Sequence, residues 1–147
     1  MAKEYPPNMH TAEHLLNQTM VRMFDKGRSF SAHIEKKKSK CDYRFDRNLT
    51  EKEITQIQSI VNEKINSDLP VTEEFYSFDE VKNRFDFSKL PDKFGDTVRI
   101  VKIGDYDLCP CIGKHVNSTG ELGEFKIIST SFENDILRIR FKLLNSN

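Results

Sequence analysis

The chain has 147 residues, enough for one domain that buries a sizeable core without a staple. Lys plus Arg and Asp plus Glu both number 23, so there is no global basicity to hold a polyanion, and any phosphate contact must come from local clusters. No apolar stretch is long enough to span a bilayer and the start "MAKEYPPN" lacks a signal-peptide core, so a cytoplasmic protein with no membrane partner is expected.

From Met9 to Phe24 the residues Met9, Ala12, Leu15, Leu16, Met20, Met23 and Phe24 recur at helical spacing, and Gly27 supplies a stop. Residues 29–34 (SFSAHI) and 41–47 (CDYRFDR) alternate as strands do, on either side of a lysine-rich connection, which predicts a hairpin or two neighbouring strands. In the first of these Ser29, Ser31 and His33 share one face. The connection carries Lys36, Lys37, Lys38 and Lys40, which with the later "RIRFK" is the best local cluster for phosphate; solvated lysines on a hairpin are the plain alternative.

Thr50 and Glu53 form a capping-box pattern ahead of a helix lined by Ile54, Ile57, Ile60, Val61 and Ile65, ending near Ser67. "LPVTEEFYSF" then reads as a strand, residues 79–84 as a short helical piece, and the stretch with Pro91 and Gly95 as looser. "TVRIVKI" reads as a buried strand with a turn at Gly104-Asp105, and "EFKIISTSFENDILRIRFKLL" splits at Glu133-Asn134-Asp135 into a hairpin. Without internal repeat, low-complexity tract or linker, residues 1–147 are expected to form a single α+β domain with helices packed on a mainly antiparallel sheet.

"MHTAEHLL" sets His10 and His14 four apart on the first helix. At about 100° per residue both lie roughly 120° to 160° from the centre of the apolar stripe, and near each other, so they are not core residues of that stripe. Two imidazoles at this spacing can converge on one ion. Of the two other histidines, His115 follows Cys111 by four residues in "CPCIGKH", and a thiolate with three imidazoles is a natural tetrahedral zinc set. Cys109 is a substitute ligand in the same loop, or a small buried residue. An odd count of three cysteines fits reduced thiols or metal binding better than a disulfide framework.

"HTAEHLL", "VNEKINSDLPV", "RIVKIGDYDLCPCIGKHV" and "TGELGEFKII" together resemble the editing domain shared by alanyl- and threonyl-tRNA synthetases, found also in free-standing alanyl-tRNA editing proteins of the AlaX type. The similarity runs from about His10 to Phe141. It implies that fold, zinc held by His10, His14, Cys111 and His115, and hydrolysis of the ester of a mischarged tRNA. In register with the family's G-D-…-C-G-G-T-H run, Cys111 takes the ligand place and Cys109 is an extra. The resemblance puts Ser29, Ser31, His33, Ile112 and Lys114 at the amino-acid pocket, and implies small substrates such as serine or glycine on alanine tRNA.

This sequence departs from the family where Ile112 and Lys114 replace a glycine and a threonine, and where "RSFSAHI" lacks the glutamine-containing signature. No synthetase catalytic core is present, so ATP-dependent aminoacylation is not expected. Two rival readings stand beside the deacylase: an H-x-x-E-H metallopeptidase with Glu13 as general base, and a non-catalytic zinc-stabilised domain that binds tRNA or protein. Glu13 itself reads as a solvated helix residue.

Overall fold

The computed structural model describes residues 5–85 and 96–145; the stretch around Pro91 and Gly95 lies outside them. The first helix, α1 (Pro7–Phe24), begins at a proline, whose fixed φ and missing N–H suit the first helical position. It stops earlier than the glycine signal at Gly27: Asp25 takes the left-handed conformation, φ 54°, and its N–H caps the carbonyl of Val21.

A hairpin of β1 (Ser31–His33) and β2 (Ser39–Arg44) follows, then α2 (Glu51–Asn66), β3 (Val71–Ser77) and the single-turn helix α3 (Phe78–Val81). After them come β4 (Thr97–Ile103), β5 (Asp107–Pro110), a 3₁₀ turn at Thr119–Leu122, and the hairpin β6 (Glu124–Glu133) and β7 (Ile136–Leu144). The fold is α+β, and among the described residues the strand pairs are antiparallel, in two sheets ordered β1-β2-β7-β6 and β3-β4-β5. The Asn134-Asp135 corner has φ of 53° and 62°, the left-handed pair that a tight hairpin turn requires.

Thr50 caps α2 as its sequence predicts: its side chain accepts from the Glu53 N–H, and the Glu53 carboxylate accepts from the Thr50 N–H. Ile57, Val61 and Ile65 enter the core with Met9, Leu15, Leu16, Tyr43, Phe125, Ile139 and Phe141. On its other flank α2 closes the edge of β6, where Asn62 exchanges two hydrogen bonds with the Phe125 backbone and Gln58 accepts from the Ile127 N–H.

From Met9 to Asn17 α1 is buried on every side, not only along its apolar stripe. Several polar residues of the helix find partners there. Asn17 accepts from the Ser29 N–H and the Tyr43 hydroxyl, and Thr19 meets the Tyr106 hydroxyl at 2.6 Å. What covers the second face is β5 and the loop after it, so α1 lies between the main core and the segment that carries Cys111 and His115.

Candidate metal centre

His10 and His14 do lie off the apolar stripe, yet each is only 3 % exposed, because the loop after β5 packs over that face of α1. One nitrogen of each of His10, His14 and His115, and the sulfur of Cys111, fall within 4.8 Å of one another. The rings of His10 and His115 stack at 4.0 Å, and that of His14 meets both edge-on at 4.9 and 4.5 Å.

Hydrogen bonding fixes which ring nitrogens face the centre. His10 Nδ1 lies 3.1 Å from the Lys114 carbonyl, an acceptor, so this nitrogen carries the hydrogen. The Thr11 hydroxyl gives its one hydrogen to the Pro7 carbonyl and accepts from the Val116 N–H, so His115 Nδ1, 2.9 Å away, is a donor as well. His14 Nδ1 faces the Asp107 carboxylate at 3.3 Å; the pair is an electrostatic contact too poorly aligned to count as a formed hydrogen bond. In the His10 and His115 rings Nε2 is left with its lone pair, the state a metal ligand needs. His115 Nε2 is 3.3 Å from Cys111 Sγ.

Electrostatics agree with a cation site. Burial, reinforced by His14, lowers the His10 pKa to about 3, and burial with both neighbouring rings lowers that of His115, so both are neutral. Burial beside Cys109 pushes the Cys111 thiol up to about 12. The neutral His10 and His115 rings converge with His14 and the Cys111 thiol, and a divalent ion satisfies all four donors at once. The residues therefore fit a bound metal.

Asp107 anchors the outer side. It receives Arg28 Nη1 at 2.7 Å and Nη2 at 3.3 Å, and Gln18 Nε2 at 2.8 Å. Burial alone would raise its carboxyl, but His14 and Arg28 outweigh that and hold it below the ordinary carboxylate range. Gly113 makes the close approach possible: its φ is 109°, and a Cβ there would stand 3.2 Å from His10 Cε1.

A cleft of about 420 Å³ opens beside the cluster, lined among others by Tyr5, His10, Glu13, His14, Ser31 and Ile112. Of the residues expected at the amino-acid pocket, Ser31 and Ile112 line it. Ser29 is buried against Asn17 outside the cleft lining, and His33 faces a separate recess with Lys38, Lys40 and Arg140. Lys114 contributes its carbonyl to His10 while its side chain is exposed. Lys36 borders a further recess with His115, and Lys37 is exposed.

Glu13 is a correction. It is not solvated but 8 % exposed, on the cleft wall, with Oε1 3.9 Å from His10 Nε2. Asp107, Arg28 and Thr11 were also missed; the one sequence signal for Asp107 was its place beside the predicted turn ahead of "CPCIGKH".

Residues 98–139 match the family model described as the threonyl and alanyl tRNA synthetase second additional domain. The alanine–tRNA ligase of Fervidobacterium nodosum is 37% identical over 123 residues, covering 83% of this chain and 14% of that protein. The enzyme of Bacillus subtilis is 36% identical with the same coverage, and that of Methylacidiphilum infernorum 37% identical over 81% of this chain and 13% of its own length. The chain thus spans about one seventh of the curated relatives it matches. It is related over most of its length to one stretch of alanine–tRNA ligases, and it belongs to the family of the threonyl and alanyl tRNA synthetase second additional domain.

Proposed function

We propose that the chain is a trans-acting aminoacyl-tRNA deacylase, hydrolysing the ester between a wrong amino acid and its tRNA, with zinc held by His10, His14, Cys111 and His115. The observation that carries this reading is the convergence of those four donors within 4.8 Å beside an open cleft, in a chain related to alanine–tRNA ligases. Three nitrogens and a sulfur favour zinc over harder cations. Bound there, zinc polarises or orients the ester.

An aminoacyl ester is already activated, so positioning a water against its carbonyl carbon suffices. The water oxygen bonds to that carbon, the bond to the ribose oxygen breaks, and a water proton ends on the ribose hydroxyl. Ser31 and Ile112 bound the space for the amino-acid side chain, and a cleft of about 420 Å³ suits small residues such as serine or glycine. Lys36, Lys37, Lys38, Lys40 and the Lys114 side chain supply cations for the tRNA backbone.

One observation favours a second reading. Four protein donors complete a tetrahedral set, and complete sets are usually structural, as in a zinc-stabilised domain that binds tRNA or protein without cleaving it. A peptidase built on His10, Glu13 and His14 gives Cys111 and His115 no role. A panel of mischarged tRNAs separates the readings. Cleavage of small aminoacyl esters is expected, lost together with the metal in His14→Ala and Cys111→Ser and retained in Cys109→Ser. Bound zinc without cleavage of any member supports the binding domain, and a metal retained in Cys111→Ser but lost in Cys109→Ser overturns the ligand set.

A further inference from the structure

Glu13 stands apart from the other acidic residue of this region. Asp107 is saturated by Arg28, Gln18 and the contact with His14. The Glu13 side chain is 10 % exposed, and among the described residues no donor hydrogen-bonds its carboxylate. The ring nitrogen beside it, His10 Nε2, is 3.9 Å away, beyond hydrogen-bonding distance, and is the nitrogen left for an ion. Arg28, the cation that shares the cleft lining, is committed to Asp107 through both terminal nitrogens. The Glu13 side chain is nine-tenths buried on the cleft wall and its carboxylate takes no donor from the described residues, so something that enters the cleft can supply one. A metal on the four donors offers it charge but no N–H.

We propose that Glu13 receives the α-ammonium group of the aminoacyl moiety, so that the site selects esters of amino acids whose amine is free. This rests on the deacylase reading. In such an ester the ammonium nitrogen is one carbon from the carbonyl that water attacks. Glu13 precedes His14 by one residue and follows His10 by three, so its carboxylate stands beside the donor set on the cleft wall. A ligand that lays its carbonyl toward the donors brings its ammonium to Glu13, as three N–H donors meet an acceptor-only group. Esters whose nitrogen is acylated, or replaced by hydrogen, cannot make that contact. Peptidyl and formylated ends are therefore excluded, and the chain acts only on the product of aminoacylation itself.

The test uses the full, zinc-loaded chain and non-cleavable probes, amides of serine with 3′-amino-3′-deoxyadenosine, by calorimetry. Three probes are compared: the free amine, its N-acetyl form, and the 3-hydroxypropionyl form that lacks the α-nitrogen but keeps the size. The free amine is expected to bind about tenfold to a hundredfold tighter than both, the range of a charge-assisted hydrogen bond. Glu13→Gln should bring the free amine level with the 3-hydroxypropionyl probe while zinc content stays unchanged. Equal binding of the three probes by the unmodified chain, which needs no variant, overturns the assignment alone. A preference kept by Glu13→Gln, or loss of zinc from it, does the same. If none of the probes binds, the deacylase reading falls and this assignment with it.

Discussion

Asp107 Oδ2 lies 3.3 Å from His14 Nδ1, while Oδ1 of the same carboxylate takes Arg28 and Gln18 from the outer side. The contact selects the His14 tautomer and orients the ring by electrostatics. Partners of this kind typically change metal affinity about 10- to 100-fold. Asp107→Asn is expected to weaken zinc by that factor in a chelator competition, whereas Arg28→Met, which leaves the contact with His14 in place, should move it far less. Equal weakening by both would show that burial of the network, and not the contact with His14, controls the site.

Gly113 is a sterically tight position. With φ at 109° and His10 Cε1 only 3.2 Å from where a Cβ would stand, Gly113→Ala must either strain the backbone or push the ring aside. Backbone strain of this sort costs about 1–3 kcal/mol. The expected result is reduced zinc retention with the far-ultraviolet dichroism of the helices unchanged. Full zinc retention in Gly113→Ala would mean that the loop relocates without cost.

The lysine hairpin can be probed through salt. Lys36 borders the recess beside His115, and Lys38 and Lys40 border another with His33 and Arg140, so a strand of phosphates crossing this edge meets several cations. Each phosphate neutralised contributes a slope of roughly −0.7 to −0.9 in log affinity against log salt. Reversing the charge of Lys36, Lys37 and Lys38 should weaken tRNA binding, flatten the slope and leave zinc content alone. An unchanged slope would place the nucleic acid elsewhere.

Stability in acid should follow the α2 cap. The Glu53 carboxyl accepts from Arg47, at 2.7 and 2.8 Å, and from the Thr50 N–H, which together lower its pKa from 4.5 to about 2. A folded value below the unfolded one means that the contribution is complete above the unfolded pKa and is lost as pH falls toward the folded one. The advantage of the parent chain over Glu53→Gln in urea is therefore constant at neutral pH and shrinks between about pH 4.5 and pH 2. Removing the cap itself, Thr50→Ala, should cost about 1 kcal/mol at neutral pH. Parallel urea midpoints for the two chains across the acid range would rule the cap out as the source.

Much of this molecule is legible in the residues because its elements carry local signals. The Thr50/Glu53 box starts α2 where expected, and the Glu133–Asp135 break opens between β6 and β7. The strand β5 escaped notice because four residues ending in a proline show no alternation to read, although it is this strand that aims Cys111 and Asp107. Glu13 was misplaced for a related reason. A helical wheel sorts faces by apolarity, and it cannot know that a segment about a hundred residues later covers the polar one. The ion pair of Arg28 with Asp107, 79 residues apart, is equally invisible to local pattern. Family resemblance brought Ser29 and His33 forward together with Ser31, but Ser29 precedes β1 and His33 borders a different recess.

The Thr11–His115 contact joins residues 104 apart in sequence. A chain held at these two points is a closed ring containing β1 to β5 and α2, and closing a ring of that size in an otherwise free polymer removes entropy worth about 4–5 kcal/mol in the cross-link model. An ion that bridges α1 to the loop after β5 thus works as a clasp on the whole domain. The donor set cannot assemble until both ends of the ring have met, so it belongs among the late, long-range contacts that slow folding. Metal uptake by this chain would accordingly report that the segments between α1 and the loop after β5 have already found their place.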